Sequence, residues 1–166
     1  MSIDIIKRLA LFFVLSVIQI LFLNHLRLFG VATPMLYILF VITFKRNTPK
    51  WIILLWSFAL GLAIDVFSNT PGLAAGSMTL IAIIQPYLLE LFVPRDSVEG
   101  LEISTATLGI SKYFTFSTII TVIYCLVFFA LEAFSFYDWI HGLACAGSSA
   151  FLTLIIIMTI ERVRKK

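Results

Sequence analysis

Six stretches of apolar residues, separated by short polar connectors, constrain this chain more than anything else in it. They run from Leu9 to Leu23, Phe29 to Phe44, Trp51 to Phe67, Leu73 to Val93, Tyr113 to Phe134 and Trp139 to Ile160. A bilayer core of ~30 Å takes roughly 17–25 apolar residues in a helix, and most of these stretches are that long or nearly so. The chain has 166 residues, of which 61% are apolar and 13% charged. A soluble domain carries about a quarter charged residues, and one of this size leaves too much surface in water to hide such an apolar excess. The excess is therefore expected to face lipid. Unpaired backbone groups are costly in hydrocarbon, so the stretches are read as helices. The expected fold is all-α: a single polytopic membrane domain over residues 1–166, a bundle of about six transmembrane helices.

Lys and Arg in the connectors set the orientation. With the N-terminus inside, every basic residue except Arg27 falls on the inner side: Lys7 and Arg8, then Lys45, Arg46 and Lys50, then Arg95 and Lys112, then the tail from Arg162 to Lys166. Both termini are then cytoplasmic. Lys7 and Arg8 before an apolar run resemble a signal peptide, but no small-residue cleavage site follows, and the run is read as an uncleaved first span. In the second stretch, Thr33-Pro34 reads as a helix start, with Thr33 as cap and Pro34 in the first turn. A helix from there to Phe44 spans only ~16 Å at 1.5 Å per residue. A second topology therefore stays open, in which this stretch does not cross and the N-terminus lies outside. The connector from Pro94 to Ser111 reads as a solvated loop with a short surface helix, or as a docking site for a cytoplasmic partner.

The net charge of +3 is scattered and forms no stripe for nucleic acid. Cys125 and Cys145 lie inside apolar runs and read as small core residues. No metal-ligand spacing, nucleophile elbow or phosphate-binding loop occurs, so no catalytic residue, cofactor or metal is expected.

One acid stands out. Asp65 lies about 22 Å along the third helix from Lys50, within the outer part of the membrane, where a carboxylate is costly and is expected to face the bundle interior. Ser57, Gly61 and Asp65 share a helix face at four-residue spacing, and small residues there admit a neighbouring helix. The turn "SNTPG" follows. Asn69 or Thr70 is expected to cap the fourth helix, with Pro71 in its first turn. Gly72 and Gly76 form a further G-x-x-x-G face. Asp65 is then placed to accept backbone N–H bonds at the start of the fourth helix, where the helix dipole favours a negative charge. His25, Arg27 and His141 reach the same outer level and could join Asp65 in a binding pocket or proton relay; as anchors or satisfied structural groups they need neither. Pro86 is expected to kink the fourth helix. The small-residue patch "GLACAGSSA", including Gly142 and Gly147, reads as a helix-packing face.

The pattern Gly61, Asp65, Pro71, Gly72 and Gly76, the segment "TPMLYILFVI", the basic ending "ERVRKK" and the hydropathy profile along nearly the whole chain together resemble the rod shape-determining MreD family. That resemblance implies a non-enzymatic, multi-pass component of the bacterial inner membrane. It would bind the bitopic protein MreC and act with MreB, a RodA-type glycosyltransferase and a penicillin-binding transpeptidase in cell elongation. It also implies a fold similar to the substrate-binding subunits of energy-coupling-factor transporters. The alternative function is thus a small-molecule-binding membrane subunit of that kind. A scaffold predicts an outer end filled by side chains and an exposed small-residue groove; a transporter subunit predicts a roomy polar cavity beneath the outer turns.

Overall fold

The computed structural model describes residues 2–23, 33–46, 48–93, 103–133 and 139–164. All regular structure among them is helical. Five helices are long and apolar enough to cross a bilayer, the architecture of a multi-pass membrane protein. The first, α1 (Ser2–Ile18), continues as a π-helical stretch, Gln19–Leu23. A short helix α2 (Ile38–Ile42) precedes α3 (Lys50–Ser68) and α4 (Leu73–Phe92). The small α5 (Thr105–Leu108) leads into α6 (Ile110–Ala133), and α7 (Trp139–Arg164) ends the described chain. Helices α3 and α4 pack as an antiparallel hairpin, α6 and α7 as another, and the α4–α6 contact joins the two. Pro86 lies inside α4, which continues through it to Phe92.

The surface is apolar in the way a lipid-facing one must be. Ile140, Leu91, Val66, Phe67 and Phe151 are all more than two-thirds exposed. The centre of the bundle is the segment that sequence reasoning treated as a second spanning helix, and here the structure corrects that expectation. Among its described residues, 33–44, only Ile38–Ile42 is helical; residues 33–37 are irregular, and the helix begins after Tyr37 rather than at Thr33-Pro34. The segment is nonetheless the most buried stretch among the described residues, with Ile38, Val41, Ile42 and Phe44 fully enclosed.

It also has a direction. The Thr33 amide bonds Ser149 Oγ and the Met35 amide bonds Thr153 Oγ1, one turn further along α7. At its far end Lys45 pairs with Asp4 at 2.9 Å, and both line a cavity shared with Ile103 and Arg164. Residues 33–45 therefore run back toward the end where α1 begins and α7 finishes. Residues 4 and 164 thus lie at the same end of the bundle. Every described Lys and Arg belongs to this end: Lys7, Arg8, Lys45, Arg46, Lys50, Lys112, Arg162 and Arg164.

Candidate functional site

The turn between α3 and α4, at the end of the bundle away from the basic residues, is built around Asp65. Three residues before the end of α3, its side chain turns inward and is 5% exposed. Oδ1 accepts the Ala74 amide at 2.9 Å and the Thr70 hydroxyl at 3.0 Å; Oδ2 accepts the Ala75 amide at 2.9 Å. Ala74 and Ala75 stand second and third in α4, so their N–H groups have no partner within that helix. The carboxylate of one helix thus caps the next, at the end where its dipole is positive. The Asp65 main-chain oxygen accepts from Asn69 and from Thr70.

The local sequence makes this turn. Asn69 takes the left-handed conformation (φ 56°) that ends α3, and Gly72 takes φ 84° as the residue before α4. This corrects the expectation that an Asn69 or Thr70 side chain caps α4: Asn69 caps the end of α3, the Thr70 hydroxyl bonds Asp65, and the Ala74 and Ala75 amides of α4 are satisfied by Asp65. Pro71 sits in the turn, ahead of the first helical residue, Leu73.

Gly61, one turn before Asp65, decides how close the helices come. A Cβ there would lie 2.6 Å from Ala75 Cα and 2.7 Å from Ala74 O. The paired Gly72 and Gly76 do not have this role, against expectation: a Cβ at Gly72 meets nothing within 4 Å, and one at Gly76 meets only Leu131 Cδ1 at 3.8 Å. The patch from Gly142 to Ala150 divides. Cys145, Ala146, Ser149 and Ala150 are buried, while Ala144 and Gly147 are exposed, and a Cβ at Gly142 or Gly147 would meet nothing within 4 Å. His25 and Arg27, expected beside Asp65, lie outside the described residues; of His141 the structure describes the backbone, in the first turn of α7.

Three further ties were not legible as such. Gln19 accepts the Leu36 amide on Oε1 and donates from Nε2 to Pro34 O, both at 3.0 Å. With Ser149 and Thr153 it satisfies four main-chain groups of the broken segment, which is what irregular backbone at membrane depth demands. Tyr37 and Tyr124, both buried, join their hydroxyls and pack edge to face. At the basic end, Glu161 is 3% exposed and accepts the Thr105 amide at 3.0 Å, holding the start of α5 against α7. Of the connector read as a solvated loop or a docking site, residues 94–102 lie outside the described residues; the described part rests against α7, with Ile103 and Thr105 buried. One signal could have revealed Glu161 and its neighbours: Cys145, Ser149, Thr153, Ile157 and Glu161 recur every fourth residue along one face of α7.

A carboxylate with both oxygens held by amides of the next helix is suited to fixing two helices. Among the described residues no group of three or more His, Cys, Asp or Glu side chains gathers. Comparison with protein-family models, characterised proteins and solved structures returned no match.

Proposed function

We propose that this chain is a non-enzymatic scaffold of the bacterial inner membrane. In this reading it holds a bitopic partner of the MreC type within the cell-elongation machinery, alongside MreB, a RodA-type glycosyltransferase and a penicillin-binding transpeptidase. The observation that carries the reading is the saturation of Asp65. The single acid expected to line an outer pocket is instead spent on the amides of Ala74 and Ala75 and on Thr70. The sequence resemblance to the MreD family, centred on Gly61, Asp65 and the turn after them, supplies the biological context. The clustering of basic residues at one end supports a cytoplasmic orientation of that end, and of both termini with it.

The open strip of Ala144 and Gly147 on α7, flanked by the exposed Leu143 and Phe151, is the surface we assign to the partner helix. Small residues there let two helices approach closely in lipid. The test is a photo-crosslinking residue at Gly147 in cells, combined with depletion of the protein. Capture of the MreC-type protein, with rods turning to spheres on depletion, is the expected result. Normal shape with lost uptake of one small molecule would replace this reading with the transporter-subunit one.

A further inference from the structure

Ser57 on α3, Gln85 on α4, and Ser117 and Thr121 on α6 lie inside the bundle, each at most 1% exposed. Ser57 Oγ, Gln85 Nε2, Ser117 Oγ and Thr121 Oγ1 have no hydrogen-bond partner within the protein. Hydroxyls on a helix commonly avoid this by bonding their own backbone. Ser77, Thr79, Thr115, Thr153 and Thr159 do so here, each donating to the carbonyl four residues back at 2.7–3.0 Å. Ser57, Ser117 and Thr121 do not, so their oxygens are turned away from their own helix. The four polar groups also share a level. The Phe92 and Phe116 rings meet with centroids 5.9 Å apart, and a Cβ at Gly76 would face Leu131 Cδ1 at 3.8 Å, which fixes how α4 runs past α6. Side chains lean toward the N-terminal end of their helix, so in this register the Gln85 carboxamide comes level with Ser117 and Thr121. The approach of Gly61 to Ala75 fixes α3 against α4 in the same way and brings Ser57 within about one turn of Gln85. Ser117 and Thr121, four residues apart on one face, stand ~5–6 Å from each other, the reach of two hydrogen bonds through one water.

We propose that this polar layer is a binding site for internal water, a small cluster that joins the Gln85 carboxamide to the hydroxyls of Thr121, Ser117 and Ser57 across α4, α6 and α3. An unpaired polar atom in an apolar interior is costly on the scale of a domain's whole net stability, and here four fall in one layer. A buried water makes about three hydrogen bonds to groups of this kind. The set of atoms selects water over a cation. Hydroxyl oxygens serve either, but the carboxamide N–H group is a donor and would turn its positive end to a metal ion. Enclosure of all four side chains keeps lipid and a partner helix from reaching them.

Solid-state NMR of the full chain in bilayers tests this by following magnetisation from water protons into side chains. In the unaltered protein Gln85 and Thr121 should receive it as fast as Thr107, which is exposed at the basic end. Ile81 and Ile120, buried on the same helices without a polar side-chain atom, should receive it slowly. Thr121→Val keeps the shape and removes the hydroxyl. Gln85 should then lose most of its transfer from water, and the unfolding midpoint in detergent should fall. Thr115→Val is the control, since that hydroxyl is exposed and already bonded to Ser111 O; it should leave the Gln85 transfer as it was. Gln85 and Thr121 as slow as Ile81 and Ile120 in the unaltered protein would overturn the proposal. So would Gln85 transfer that survives Thr121→Val, or a midpoint that this change leaves in place or raises, as removal of a dry, unpaired hydroxyl would.

Discussion

Replacing Gly61 by Ala tests the reading of the outer turn most directly. The added methyl would sit 2.6 Å from Ala75 Cα and 2.7 Å from both Ala74 O and Ala75 N. Carbon atoms pack at about 3.5–4.0 Å, so α3 and α4 must part locally by about 1 Å. The obstructing atoms are backbone at the start of a helix and cannot swing aside. Those same two residues donate to Asp65 at 2.9 Å, and a shift of that size takes both bonds beyond ordinary hydrogen-bond length. Overpacking costs ~1–3 kcal/mol and a hydrogen bond to a charged group contributes ~1.5–3 kcal/mol. With partial relaxation the expected destabilisation is about 2–5 kcal/mol. Gly76→Ala is the control, because its methyl meets only Leu131 Cδ1 at 3.8 Å. It should be neutral, or stabilising by up to ~1 kcal/mol through helix propensity. Unfolding in detergent, followed by circular dichroism against denaturant or temperature, separates the two. If Gly61→Ala unfolds with Gly76→Ala and with the unaltered protein, close approach of these helices is not what places Asp65.

Substitutions at three other positions probe the remaining ties, the first two positions by the same unfolding measurement. Asp65→Asn keeps one acceptor oxygen and sets an amide against the second N–H, so it should be destabilising by ~1–3 kcal/mol, and Asp65→Leu, which strands both amides, by more; equal losses would show that the charge and not the capping geometry matters. Gln19→Leu leaves Pro34 O and Leu36 N–H buried without their side-chain partner, at ~1–3 kcal/mol each; an unchanged midpoint would refute the account of the broken segment. Glu161→Ala should release α5, seen as faster hydrogen exchange at residues 103–108, whereas Glu161→Gln, which keeps an acceptor for Thr105 N–H, should hold it; identical exchange in all three proteins would dismiss the docking role.

How well each feature could be read depended on how local its cause was. The long helices follow from runs of apolar side chains, whose preference for lipid needs no partner, and their bounds lie within a few residues of expectation except where α1 and α7 run on through polar ends. Asp65 was legible because an isolated acid in an apolar run demands a partner, and the nearest orphan donors were those of the following helix. The caps were misassigned because Asn69, Thr70 and Gly72 all suit either role, and only the path of the turn distributes them. Gly61, Gly72 and Gly76 look alike in sequence, yet of the three only Gly61 would set a Cβ against backbone across the interface.

From its sequence alone the chain was bound to be a helical membrane protein with its basic residues gathered at one end. Those properties come from the solvent each residue prefers, and solvent preference is carried residue by residue. The broken segment was decided by the tertiary structure. Gln19, Ser149, Thr153 and Tyr124 lie far from residues 33–37 along the chain, and each is an ordinary helical residue until the fold brings the unpaired backbone to it. A main-chain group in hydrocarbon must find a partner somewhere, and only the packed bundle says where.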